Sequence, residues 1–367
     1  MIGIFHQHAQ AMTEACTDWC EAAERVIFEG KSGRNRYKYT LTRQLPRGGA
    51  FKKTYHYRTL YQKIKRVSML YLQEETKGLR KRDRRQCQKL LRAVLKDVFG
   101  NLQIYLSADG DALQSRYVTC NSNIRLNPLY KCVYKALKVP MEELYGVMRD
   151  LKQDDIFEKL NIRTCPYCNR QYTFTLKPVQ KGDPNTSPEF DHFYPKSEYP
   201  TLAICFYNLV PSCHCCNHGK STSRLNINPY FDDFKGAFYL CKASDDQTPL
   251  NMKEAKDIKR EQDVHIAYDG RHEELEDVER LGLDKLYGMH QDYVMEIIDK
   301  VNAYNSAVNQ GLVDSFQGVF HNQGEVFNFV WGKHLELAEQ EKRPLSKFTR
   351  DLLEQMKVRR GRLWQKE

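Results

Sequence analysis

The sequence predicts an α+β protein, with mostly helical flanks around a small metal-stabilised middle. Three observations lead there. Residues 1–155 and 236–367 carry long runs with apolar residues at mixed 3–4 spacing. Residues 156–235 lose that period and concentrate Cys, Pro, Asn and aromatic residues. Within them stand two Cys-x-x-Cys pairs, Cys165-Pro-Tyr-Cys168 and Cys213-His-Cys-Cys216.

The elements follow in order. "MTEACTDWCEAAERVIFEG" reads as a helix with Gly30 as its C-cap, and Cys16 and Cys20, four apart, as core residues. "KSGRNRYKYTLTRQLPRGGAFKKTYHYRTLYQKIKR" opens with turn signals at Gly, Pro and Gly-Gly. "RTLYQKIKRVSMLYLQEE" and "RRQCQKLLRAVLKDVFGNL" resume a helical period. In the middle, "RQYTFTL" alternates like a strand, "KPVQKGDPNTSP" reads as a loop, "EFDHF" as a second strand, and a short helix starts at about Asn217. From residue 236 the chain reads as helix again. "EELEDVERLGLDKLYGMHQDYVMEIIDKVNAYNSAV" is amphipathic and suits either a partner or dimer interface or packing on the finger, and "KVRRGRLWQKE" makes a basic tail.

The length, 367 residues, suits two or three modest domains. We expect three: a basic helical region (1–155), the cysteine-rich middle (156–235) and a helical C-terminal region (236–367). No run approaches a membrane span, and the first 20 residues lack the basic and long apolar regions of a secretory leader, so a cytoplasmic chain is expected. Twelve cysteines then point to reduced thiols and metal rather than disulfides. The formal charge is +10, but Arg25–Lys96 alone holds 22 Lys/Arg against 4 Asp/Glu, a local +18 that leaves −8 elsewhere. Such asymmetry suits a polyanionic partner, most simply nucleic acid.

Two residues between thiols let both sulfurs face one tetrahedral site, and two such pairs complete a four-thiolate zinc shell. Cys165, Cys168, Cys213 and Cys216 are therefore the expected ligands, with His214 and Cys215 as spares. The alternative is a set of small buried apolar thiols. Between the pairs lie Asp191-His192 and then Asn208 in "FYNLVPSC"; Asn217 and Lys220 follow the last cysteine.

In that order, "CPYC", "DH", "NLVPSCHCCNHGKS", the segment resembles an HNH nuclease domain, the ββα-metal finger, in its four-cysteine form. The agreement runs from Cys165 to Ser221 and leaves the flanks uncovered. The resemblance implies that His192 is the general base. It implies that Asp191 and Asn217 ligate one Mg²⁺ or Mn²⁺, separate from the structural Zn²⁺. It gives Asn208 the task of holding the loop and orienting His192, and Lys220 a phosphate contact. Asn217 stands where the family often has a third His, and His218 beside it is the other candidate. The function implied is hydrolysis of DNA phosphodiester bonds, leaving 5′-phosphate and 3′-hydroxyl. HNH proteins with large helical flanks also resemble nuclease components of bacterial anti-phage systems such as Septu, where an ATPase accompanies the nuclease. Two other readings are a non-catalytic zinc-stabilised nucleic-acid-binding module and an RNA-cleaving toxin nuclease.

The basic stretch interleaves Tyr with Lys and Arg. Cations neutralise phosphates, and Tyr stacks on unpaired bases. Arg34, Arg36, Lys52, Lys53 and Arg58 are the expected nucleic-acid contacts. The competing reading is a helical surface with Tyr in the core and its charges in solvent.

Overall fold

The computed structural model describes residues 5–32, 34, 36–44, 50–176, 188–303, 311, 312, 314, 315, 319, 320 and 323–356. The fold is α+β, and the chain divides into two compact units that exchange segments. One comprises residues 9–160 and 190–210; the other comprises residues 1–8, 161–189 and 211–367. The cysteine-rich middle, expected as one domain over 156–235, is thus shared between both.

The first unit is helical. It holds most of α1 (Phe5–Phe28), then α2 (Leu60–Glu75), α3 (Lys81–Gly100), α4 (Leu102–Leu106), α5 (Gly110–Leu126) and α6 (Leu129–Leu160). Thr59 caps α2, accepting from the Gln62 amide at 3.2 Å. α6 is the spine, packing on α2 and α3 through buried Val133, Leu137, Leu144 and Met148. Residues 190–210 are sewn into this core. Trp19, fully buried, donates from Nε1 to Ile204 O at 2.8 Å, and Phe190 lies against both Trp19 and Phe157. This explains the shared middle: a finger with little core of its own borrows one from the helices. Cys16 and Cys20 are buried core residues.

One departure lies in the basic stretch, where the structure has a β-hairpin in place of a helical surface. β1 (Tyr37–Gln44) pairs antiparallel with β2 (Ala50–Tyr57), bringing Tyr37 opposite Tyr57 and Tyr39 opposite Tyr55. Alternation puts these tyrosines on one half-buried face, and Lys38, Thr40, Thr42, Lys52 and His56 on the exposed face.

The second unit corrects the expectation of an all-helical C-terminal region. β5 (Ala237–Lys242), β6 (Asp245–Pro249) and β7 (Val264–Asp269) form a sheet of order β6-β5-β7. The signal was a period of two: Phe238 and Leu240, and Val264 and Ile266, are buried. Around the sheet stand α8 (Met252–Asp257), α9 (His272–Leu281), α10 (Leu283–Gly288), α11 (Gln291–Ala303), α12 (Gln323–Trp331) and α13 (Ser346–Gln355). The amphipathic run divides at Gly282, whose φ of 60° ends α9 and which glycine adopts without strain. On α13, Asp351 accepts from the Phe238 amide at 3.1 Å, and Gln355 brackets Leu240 through both N–H and C=O. These side chains satisfy a stretch of β5 backbone that β6 leaves unpaired. Residues 177–187, most of the expected loop, and the tail 357–367 lie outside the described residues.

Glu274 of α9 ties the sheet to its neighbours. It is fully buried and accepts from Tyr268 OH (2.7 Å), Arg271 Nε (2.6 Å) and the amides of Lys235 and Gly236 (both 3.0 Å). Burial alone would raise this carboxyl, but the hydrogen bonds from Tyr268, Lys235, Arg271 and Gly236 outweigh it and hold it at about 2. A depressed carboxyl stabilises the fold above its ordinary range near 4.5, and that contribution is lost as pH falls through about 2. Glu274→Ala should cost about 2–3 kcal/mol at neutral pH, by stranding buried donors, and the deficit should shrink towards pH 2; urea melts across pH 2–7 measure both.

A short two-stranded sheet pairs β3 (Glu189–His192) with β4 (Leu209–Ser212), and α7 (His214–Lys220) follows in the chain. The unit boundary crosses both strands. "RQYTFTL", expected as a strand, forms no named strand; it pairs through isolated bridges, one of them the antiparallel Thr164↔Tyr172 after the turn at Asn169, whose φ is 47°.

Candidate metal centre and catalytic residues

The thiolate centre lies within the second unit. Cys165 opens a tight turn: the Asn169 amide donates to its carbonyl at 2.7 Å, its own amide donates to Gln171 O at 2.9 Å, and the Arg170 amide points at Cys168 Sγ at 3.4 Å. Asn169 is buried and locks this knuckle, its side chain bonding Thr164 Oγ1, Gln340 O and the Lys347 amide. Tyr287 OH donates to Cys168 O. The second knuckle is a helix start: Cys213 has extended backbone, and α7 begins at the next residue and carries Cys216.

All four sulfurs, Cys165, Cys168, Cys213 and Cys216, lie within 4.8 Å of one another and are buried. A tetrahedral ion with Zn–S near 2.3 Å needs sulfurs about 3.8 Å apart; Cys168 Sγ and Cys213 Sγ stand at 3.9 Å. The geometry fits zinc. Burial pushes the Cys165 thiol up, while hydrogen bonding among the thiols, that of Cys165 foremost, holds Cys168 and Cys213 down. Cys215 is exposed and outside the cluster, taking a bond from Gln171 Nε2 at 3.5 Å. His214 is exposed as well, so neither spare is a ligand here.

Asp191, His192 and Asn208 fall in the helical unit. Asn208, fully buried, accepts from the Tyr194 amide at 2.8 Å and donates to Tyr194 O at 3.1 Å and Leu202 O at 3.0 Å. It thereby fixes the chain on either side of the 3₁₀ turn at Pro200–Leu202. His192 bonds through Nε2 to Ala203 O at 2.9 Å and meets the Tyr145 ring edge-on at 4.5 Å. Asp191 is 2% exposed and His192 6%. Lys196, a cation that sequence reasoning missed, sits over the Tyr145 ring at 4.8 Å. Burial lowers its ammonium, with Arg149 adding to the effect and Glu142 and Asp191 opposing it. Its signal was the spacing in "DHFYPK", which places a lysine five residues after Asp191.

Asn217 and Lys220 fall in the other unit. Asn217 Nδ2 donates to Glu189 Oε2 at 2.5 Å. Glu189 also meets His214 Nδ1 at 2.8 Å, and the His214 and His218 rings lie 3.9 Å apart. Partial burial would raise Glu189, but the bonds from His214 and Asn217 win and lower it. Lys220, expected to touch phosphate, is completely buried. Its burial leaves it no surface to offer a ligand. Arg34, Arg36, Lys52, Lys53 and Arg58 are all exposed, with Lys53 lying over the Tyr55 ring at 5.2 Å.

Over 121 residues, covering 29% of this chain, the sequence is 30% identical to Protein ea31 of Escherichia phage lambda. The match spans 36% of the phage protein's length. No protein family and no solved structure matches the chain. Among the described residues, no helix is long and apolar enough to cross a membrane.

Proposed function

We propose that the protein is a metal-dependent HNH-type endonuclease that hydrolyses phosphodiester bonds in DNA. The observation that carries this reading is the orientation of His192. Ala203 O can only accept, so in the neutral ring Nε2 holds the proton and Nδ1 holds the lone pair. That is the protonation a general base needs to take a proton from an attacking water. The strand, strand, helix order of β3, β4 and α7 beside a four-thiolate centre supports the same reading. Asp191 is the oxygen donor proposed for a Mg²⁺ or Mn²⁺ ion; Asn217, the second donor that the resemblance implies, belongs to the other unit. When bound, that ion would supply positive charge to the scissile phosphate and the leaving oxygen. An anti-phage role alongside an ATPase partner belongs to the same proposal and rests on the resemblance.

The exposed hairpin face and the start of α3 support a nucleic-acid substrate. Arg80, Lys81, Arg82, Arg84 and Arg85 are exposed around the first turn of α3, where the helix dipole disfavours cations. A polyanion would offset that repulsion. Replacing Lys38 and Lys52 together by Glu should weaken DNA binding without loss of fold. It should also flatten the dependence of log affinity on log salt by about 2, near 0.9 per phosphate contact; titration of labelled DNA at several salt concentrations reads this.

The burial of Asp191 and His192 favours a second reading, a zinc-stabilised binding module that does not cleave. Purified protein incubated with supercoiled plasmid, single-stranded DNA and RNA, with Mg²⁺, Mn²⁺ or no added ion, separates the two. Divalent-dependent DNA cleavage with ligatable 5′-phosphate ends is the expected outcome. Binding without cleavage would favour the module, and cleavage of RNA alone would point to a toxin-type nuclease.

A further inference from the structure

We propose that Glu189, His214 and His218 form a second metal site, distinct from the thiolate centre, that takes a first-row transition dication. Their donor atoms lie within 4.8 Å of one another, one carboxylate and two imidazoles. His214 and His218 stand four apart on α7, which places them on one face of the helix. Their rings lie 3.9 Å apart at 35°.

Glu189 comes from β3 and faces both rings. Its Oε1 sits 2.8 Å from His214 Nδ1, and its Oε2 is anchored by Asn217 Nδ2 at 2.5 Å. An amide holding the far oxygen of a metal-binding carboxylate is the kind of support that orients ligands. A surface ion pair needs one His and one carboxylate; the second imidazole and the Asn anchor go beyond that. The backbone is held at its start, since Cys213 precedes α7 and Cys216 lies in its first turn, both in the thiolate centre.

The donor set determines the class of ion. Two imidazoles and one carboxylate suit Mn²⁺, Co²⁺, Ni²⁺ or Zn²⁺, with affinity rising along that series to Ni²⁺, and disfavour Mg²⁺. The His214 side chain is 68% exposed and that of Glu189 37%. Such an ion would therefore keep positions open for water or a substrate oxygen. Occupancy is read from binding alone, so the site stands or falls apart from the cleavage reading.

The test uses full-length protein carrying one equivalent of zinc, dialysed against Ni²⁺ or Mg²⁺ and analysed for both metals. Wild type should retain its zinc and bind a Ni²⁺ ion that excess Mg²⁺ does not displace. His214→Ala/His218→Ala changes two exposed residues, so the fold and the zinc should survive while Ni²⁺ affinity falls at least about tenfold. Glu189→Gln should weaken Ni²⁺ in the same direction. Ni²⁺ bound equally by wild type and the double variant, which keeps every other histidine of the chain, would overturn the proposal. So would a wild type that binds no second ion.

Discussion

Cys213→Ser should strip the protein of zinc and loosen both knuckles. A serine hydroxyl is a poor zinc donor near neutral pH, and three thiolates hold the ion far less well than four. Structural zinc contributes on the order of 10 kcal/mol in isolated fingers. Here the visible loss is capped by the cost of opening the knuckles locally, because Asn169 and Tyr287 still tie the first of them to the rest of its unit. We expect metal analysis to fall from one zinc per chain to near none, with new proteolytic sites around residues 161–173 and 213–220. Cys215→Ser, at an exposed thiol outside the cluster, should leave zinc content and stability unchanged. Equal zinc in wild type and Cys213→Ser would remove the thiolate assignment.

The second large effect concerns His192. Removing a general base costs about 10²–10⁴ in rate, so His192→Ala should cut DNA cleavage by that factor while zinc content stays at one. The ring is 6% exposed and packs against Tyr145, so the variant should also lose some stability, and thermal melts beside each assay separate the two losses. The pH profile adds a signature that misfolding does not give. A base acts only when neutral, so wild-type log rate should rise with pH and then level off. The residual rate of His192→Ala should lack that limb.

The thiolate centre was legible because its chemistry is local: two residues between thiols impose a geometry that no other arrangement uses so economically. The short strand at "EFDHF" was legible too, while the helix expected from about Asn217 begins three residues earlier, at His214, inside the knuckle. The domain plan was not. Phe190–Val210 joins the helices because Trp19 and Phe157 cover Phe190 and Ile204, contacts that span much of the chain and leave no periodic trace. The hairpin was obscured by its own lysines. Tyr37, Tyr39, Tyr55 and Tyr57 alternate as strand residues do, but the charge run drew attention to surface instead of pairing. The sheet β5–β7 was hidden behind strongly helical neighbours, though Phe238, Leu240, Val264 and Ile266 keep the period of two. Lys220 illustrates a further limit: spacing on α7 put it on a shared face with Asn217, and only packing could reveal its burial.

The central claim is that a zinc-replete protein cuts DNA only with a second, exchangeable divalent ion. Protein passed over a chelating resin, shown to retain one zinc per chain, should leave supercoiled plasmid intact; restored Mn²⁺ or Mg²⁺ should then nick or linearise it. Cleavage that proceeds without any added ion, or no cleavage with either ion while zinc and fold are intact, would contradict the account.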